Sequence, residues 1–98
     1  MIDFEQKTAR EIAAETAARV KRRRKEAHLT QKELAARSGM SYSSYKRFEQ
    51  TGEISFPSLI AIGIALRKES DFDQLFEKRG YSSIDEVIEE TRRAKRNV

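Results

Sequence analysis

Seven consecutive residues, SYSSYKR from Ser41 to Arg47, carry five hydroxyl groups and two cations. No carboxylate stands among them. Such a set donates hydrogen bonds to anionic and carbonyl oxygens and offers little to a metal ion. The planar guanidinium of Arg47 fits guanine O6 and N7 with two parallel bonds, or alternatively a phosphate. Ser43 is short enough for a base or a phosphate. Tyr42 can stack on a sugar, touch a thymine methyl, or pack on the neighbouring loop. Lys46 and Ser44 suit phosphates, which position a protein without specifying sequence.

Charge points the same way. The 98-residue chain has a net charge of +4, with its positive charge gathered in the first half. Arg19 to Arg47 holds ten Lys and Arg against two acids, whereas the rest of the chain is net acidic. A basic segment of this kind suits a polyanion, most readily nucleic acid, or else is a solvated face. No cysteine is present, so there is no disulfide or thiol chemistry, as suits a reducing compartment. No apolar stretch reaches membrane-spanning length and the N-terminus lacks signal-peptide order, which gives a cytoplasmic expectation. Nothing suggests the convergent groups of a catalytic pocket, a metal site or a cofactor site, and the expectation is of no enzyme.

The elements that must hold these residues are helical almost throughout. Ala9, Ile12, Ala13, Thr16, Ala17 and Val20 recur at helical spacing, which predicts a first helix over about residues 6–27. Thr30 and Glu33 form a capping box for a second helix, which buries Leu34 and Ala35 and ends at Gly39. Ser41 caps a third, with Tyr45 and Phe48 on one side and Ser43, Lys46, Arg47 and Gln50 on the other. Ser55 and Pro57 open a fourth, whose LIAIGIAL is apolar nearly all round and reads as the buried centre. Gly63 within it suggests the close approach of another helix backbone. Ser70 and Asp73 read as a capping box for a fifth short helix burying Phe72, Leu75 and Phe76. Ser83 and Glu86 start a last helix with Ile84, Val87 and Ile88 on one face and Arg92, Arg93, Lys95 and Arg96 at its end.

A short helix, a tight turn at Gly39 and a second short helix match the helix-turn-helix pattern. An ordinary αα-hairpin inside a bundle is the competing reading. The segment RVKRRRKEAHLTQKELAARSGMSYSSYKRFEQTG, followed by LIAIGIAL, resembles the Cro and phage-repressor (Xre-type) helix-turn-helix regulators over roughly Arg19 to Phe76. The resemblance implies an all-α, five-helix, lambda-repressor-like DNA-binding domain, here with a helical N-terminal extension and an extra C-terminal helix. The expected division is residues 1–18, 19–80 and 81–98. The resemblance also implies a homodimeric repressor on a palindromic operator. Carried over residue by residue, Gln31 clamps a phosphate, while Tyr42, Ser43 and Arg47 read bases with Lys46 beside them. The DNA-binding set comprises Thr30, Gln31, Ser41, Tyr42, Ser43, Ser44, Lys46 and Arg47. Arg24 and Glu49 form an inward ion pair. The sequence departs from the family in Tyr45, where an aliphatic residue is usual, in the longer loop QTGEISF, and in residues 1–18.

RFEQTGEISFPSL, FDQLF and YSSIDEVIEE with a basic tail resemble HipB-like antitoxins. This implies a type II toxin–antitoxin role with a HipA-like serine/threonine kinase toxin; a stand-alone prophage or metabolic repressor is the alternative. Phe72, Phe76, Tyr81, Ile84, Val87 and Ile88 are the expected dimer surface. Ile84, Val87 and Ile88 are also candidates for contacting the toxin or for packing on the fifth helix, and Arg92 to Arg96 can serve as an arm on DNA.

Overall fold

A computed structural model describes residues 6–80 and 84–96, without the side chains of 84–87 and 95–96. The elements are α1 (Ala9–Glu26), α2 (Gln31–Arg37), α3 (Tyr42–Thr51), α4 (Phe56–Ala65), a 3-10 helix (Glu69–Gln74) and α5 (Ile84–Arg96). All described regular structure is helical, as expected. No helix among the described residues is long and apolar enough to cross a membrane.

Each of the first four helices starts at a side-chain cap. Thr8, Thr30, Ser41 and Ser55 accept the backbone N–H of Glu11, Glu33, Ser44 and Ser58. At α2 the capping box is complete, because the Glu33 carboxylate accepts the Thr30 N–H in return at 3.0 Å. The helix ends are equally systematic. Behind α1, α2 and α4, paired bonds close the last turn: His28 N–H to Lys25 O and Leu29 N–H to Arg24 O; Gly39 N–H to Ala36 O and Met40 N–H to Ala35 O; Arg67 N–H to Ile64 O and Lys68 N–H to Gly63 O. These are Schellman motifs, which need one residue in the left-handed region. Gly39 supplies it at φ 70°, but His28 and Arg67 take it at 59° and 58° despite their side chains.

Ala17, Leu29, Leu34, Ala35, Tyr45, Phe48 and Ile62 form the core, with Val20, Met40, Ile54, Leu59 and Leu66 packed against it. α1 packs on α3, α2 on both α3 and α4, and α4 on the 3-10 helix. The boundary read between residues 18 and 19 falls inside the uninterrupted α1. Residues ahead of it touch the body, since the Gly52 backbone lies so close to Ala13 that an added Cβ would sit 2.6 Å from the Ala13 carbonyl carbon.

Three expectations need correction. The fifth short helix is a 3-10 turn without a side-chain cap, and Ser70 lies inside it. Of the residues it was to bury, only Phe72 is partly covered; Leu75 is half exposed, and Phe76 is fully exposed at φ 59°. Capping patterns recur locally in any polar stretch, but a continuing helix needs an apolar face with something to cover it. α4 is not buried all round: Ile62 and Gly63 are buried, yet Ile64 is 58% exposed. What approaches Gly63 is a side chain, not another backbone. The Phe72 ring lies where a Cβ would stand, with Cε2 only 2.5 Å away. The expected Ser83–Glu86 helix start, Tyr81 and the side chains of Ile84 and Val87 lie outside the described residues, while Ile88 on α5 is exposed.

Candidate nucleic-acid interface

α2 packs on α3, and Ala35 on α2 is only 2% exposed. The chain reverses through Gly39 and re-enters helix at Ser41. The Ser41 hydroxyl accepts the Ser44 N–H at 3.1 Å, donates to Ser44 Oγ at 2.8 Å, and lies 3.4 Å from Ser43 Oγ. The three serines thus form one knot at the helix start. Ser41 is committed to capping, and Ser43 and Ser44 keep hydroxyl capacity for another acceptor. Thr30 is committed in the same way to Glu33.

α3 is anchored by Tyr45 and Phe48, both buried, with ring centroids 6.0 Å apart. Their burial turns Tyr42, Ser43, Lys46, Arg47 and Gln50 outward, all exposed. The Lys46 ammonium lies 5.7 Å from the Tyr42 ring centroid, a cation–π arrangement that holds the two as a unit. Arg47 is not bare. Its Nη2 pairs with Glu53 Oε2 at 2.6 Å. Glu53 is placed by the hydroxyl of Thr51, which accepts the Glu53 N–H at 3.0 Å and donates to the Arg47 carbonyl at 2.8 Å. Sequence reasoning missed Glu53. Its only signal is an acid just past the Gly52 turn, six residues after Arg47.

Behind this face, one buried network fixes the angle between helices. Arg24 Nε and Nη2 donate to Glu49 Oε2 and Oε1 at 2.7 and 3.2 Å, and Arg24 Nη1 donates to Leu29 O at 2.8 Å. Gln31 Nε2 donates to Glu49 Oε1 at 2.9 Å, and the Tyr45 hydroxyl donates to Glu49 Oε2. Each Glu49 oxygen therefore has two donors, and the pair is nearly dry, with 9% and 3% of the two side chains exposed. Burial pushes the Glu49 carboxyl up, but the bonds from Arg24, Tyr45 and Gln31 outweigh it and hold it below the usual range. The bond from Arg24 to Glu49 raises the guanidinium further against desolvation. Desolvation first, then the bond to Glu49, drives the Tyr45 phenol well above its ordinary value.

The network explains why position 45 is Tyr: an aliphatic side chain would fill the space and leave one Glu49 lone pair unserved. It also shows Gln31, read as a phosphate clamp, turned partly inward toward Glu49.

A short helix, a Schellman turn and a second helix with an exposed polar face make a helix-turn-helix. The family model described as Helix-turn-helix matches residues 20–72, more than half of the chain, and the chain belongs to that family. It is a DNA-binding domain of the transcription-regulator kind. No curated protein and no solved structure matches the chain significantly.

Proposed function

We propose that the protein is a sequence-specific transcriptional repressor that binds a palindromic operator as a homodimer. The observation that carries this reading is the outer face of α3, where Tyr42, Ser43, Lys46 and Arg47 are exposed together above the buried Tyr45 and Phe48. A helix presented in this way fits a major groove about 12 Å wide. Arg47 reads a base, Ser43 assists it, and Lys46 with Ser44 contacts phosphates. Thr30 and Ser41 contribute at the two helix starts, where free backbone N–H groups favour phosphate. Gln31 contributes its remaining amide hydrogen. Selection of bound sequences from random duplexes tests the reading: an inverted-repeat consensus with half-sites about one helical turn apart is expected, and recovery of unenriched sequences refutes it.

The finer reading is an autoregulating antitoxin paired with a HipA-like serine/threonine kinase. Support comes from the resemblance of RFEQTGEISFPSL, FDQLF and YSSIDEVIEE to HipB-like antitoxins. Co-purification of a kinase encoded beside this gene, lost on removing the chain after Gly80, tests it; a neighbourhood without a kinase favours a stand-alone repressor.

A further inference from the structure

A half-open groove of about 440 Å³ runs between α1, α4 and the 3-10 helix. Its floor is apolar, with Leu59, Phe72 and Leu75 prominent. Among the described residues, Arg19, Arg22 and Arg23 from α1 and Lys68 from beyond α4 edge it, with Asp71 as the acid of the lining and Arg23 already paired with Glu26 at 3.0 Å. The groove is thus greasy at the bottom and cationic at the rim.

α5 has the opposite character. Ile84, Val87 and Ile88 recur at three- and four-residue spacing, while positions 85, 86, 89 and 90 are all acidic and no base occurs before Arg92. Helical geometry puts positions 85 and 90 at the two margins of the apolar stripe. Ile88 is 44% exposed. Among the described residues, α5 takes no part in the main helix pairings, which are α1 with α3, α2 with α3 and α4, and α4 with the 3-10 helix. The radius of gyration is 18.0 Å, against about 13 Å for a compact domain of this length.

We propose that the acidic half of α5 from one copy lies in the α1–α4 groove of a second copy, and that the exchange is reciprocal. The apolar stripe meets the apolar floor at helix-in-groove spacing, and the acids at its margins meet Arg19, Arg23 and Lys68. A two-fold exchange closes both halves of the contact with no further partner. The inference rests on the homodimer reading above and names how the copies join.

Charge reversal across the contact tests it. Full-length chains carrying Arg19→Glu with Lys68→Glu, or Asp85→Lys with Glu90→Lys, are each expected to be monomeric at micromolar concentration with unchanged helix content. Mixing the two is expected to restore dimers, seen by light scattering as a doubled mass. Dimers persisting in both variants overturn the exchange and leave the homodimer reading standing. Failure of the mixture to dimerise overturns it too. A single chain carrying all four reversals that regains stability as a monomer places α5 in its own groove and overturns it likewise. A monomeric wild type, with and without DNA, removes the homodimer reading as well.

Discussion

Arg24 and Glu49, 25 residues apart, meet through two parallel hydrogen bonds of 2.7 and 3.2 Å, joining α1 to α3. With both side chains nearly dry, removing one strands the other. Arg24→Ala is expected to cost about 3–5 kcal/mol. Urea denaturation checks this, and a midpoint close to wild type would show that the pair holds no buried charge. The pair also joins α1 to α3, so under the proposed function DNA affinity should fall in variants that remain folded.

Titration of the same network should be visible in stability. The folded Glu49 carboxyl sits below its unfolded value, held by Arg24, Tyr45 and Gln31 against burial. Its contribution is therefore fully present above the unfolded value, near pH 4.3, and is lost as pH falls through the lower folded value. Glu33 is held low as well, by the Thr30 backbone and hydroxyl bonds. Glu49→Gln should be less stable at neutral pH and show a flatter acid limb. Parallel limbs in the two proteins would remove Glu49 from the acid transition.

Tyr45 works at the other end of the scale. Its folded phenol is raised above its unfolded value, mainly by burial. The contribution is whole below about pH 10 and is lost as pH climbs beyond it. Tyr45→Phe keeps the ring in the core but leaves Glu49 one donor short, at a cost of about 1–3 kcal/mol at neutral pH. Its stability should decline less than that of wild type between pH 9 and 11, measured by chemical denaturation, with the range chosen around the tyrosine reference value.

Arg47 and Glu53 make a prediction about specificity. Both side chains are largely exposed, so their 2.6 Å pair adds little stability. Under the proposed function, its value lies in aiming the guanidinium and in placing a negative charge beside the face offered to DNA. Arg47→Ala should cost roughly 1–3 kcal/mol on the operator and relax preference at one base pair. Glu53→Gln should tighten binding to random DNA more than to the operator, narrowing the ratio between them. Lys46→Ala should weaken both alike and reduce the salt slope. Equal losses on operator and random DNA for Arg47→Ala would demote it to a phosphate contact.

Much of this architecture was legible because it is written locally. Thr30 with Glu33, Ser41, Ser55 and Gly39 each satisfy backbone groups within four residues of themselves, and each stands where its pattern put it. For the Arg24–Glu49 pair, periodicity turns each residue inward on its helix, but the partnership itself came from the resemblance, since nothing in the spacing of two charges 25 residues apart announces a contact. What escaped was set by tertiary packing. The Phe72 ring over Gly63, the half-exposed Leu75 and the turn of Gln31 toward Glu49 depend on how helices cross, and local sequence does not encode that. Glu53 was missed because its partner, Arg47, lies on the preceding helix.

The Schellman turns at His28, Gly39 and Arg67 allow a paired test of backbone strain. All three share the left-handed conformation, at φ 59°, 70° and 58°. A residue with a Cβ pays about 1–2 kcal/mol there, and a glycine gives back part of that gain through its freer unfolded chain. His28→Gly and Arg67→Gly, both at exposed positions, should therefore each stabilise the protein by roughly 0.5–1 kcal/mol. Gly39→Ala should destabilise it by a similar amount, since a Cβ there meets nothing within 4 Å and only the dihedral cost applies. Gly52→Ala should be worse than Gly39→Ala. Its φ is 81°, and its Cβ would collide with the Ala13 backbone, pushing α1 from the end of α3. Thermal unfolding of the four variants should rank Arg67→Gly and His28→Gly above wild type, then Gly39→Ala, then Gly52→Ala. If Gly52→Ala proves as mild as Gly39→Ala, the first turns of α1 do not press on α3 in solution, and residues 9–18 would be an appendage and not a part of the DNA-binding body.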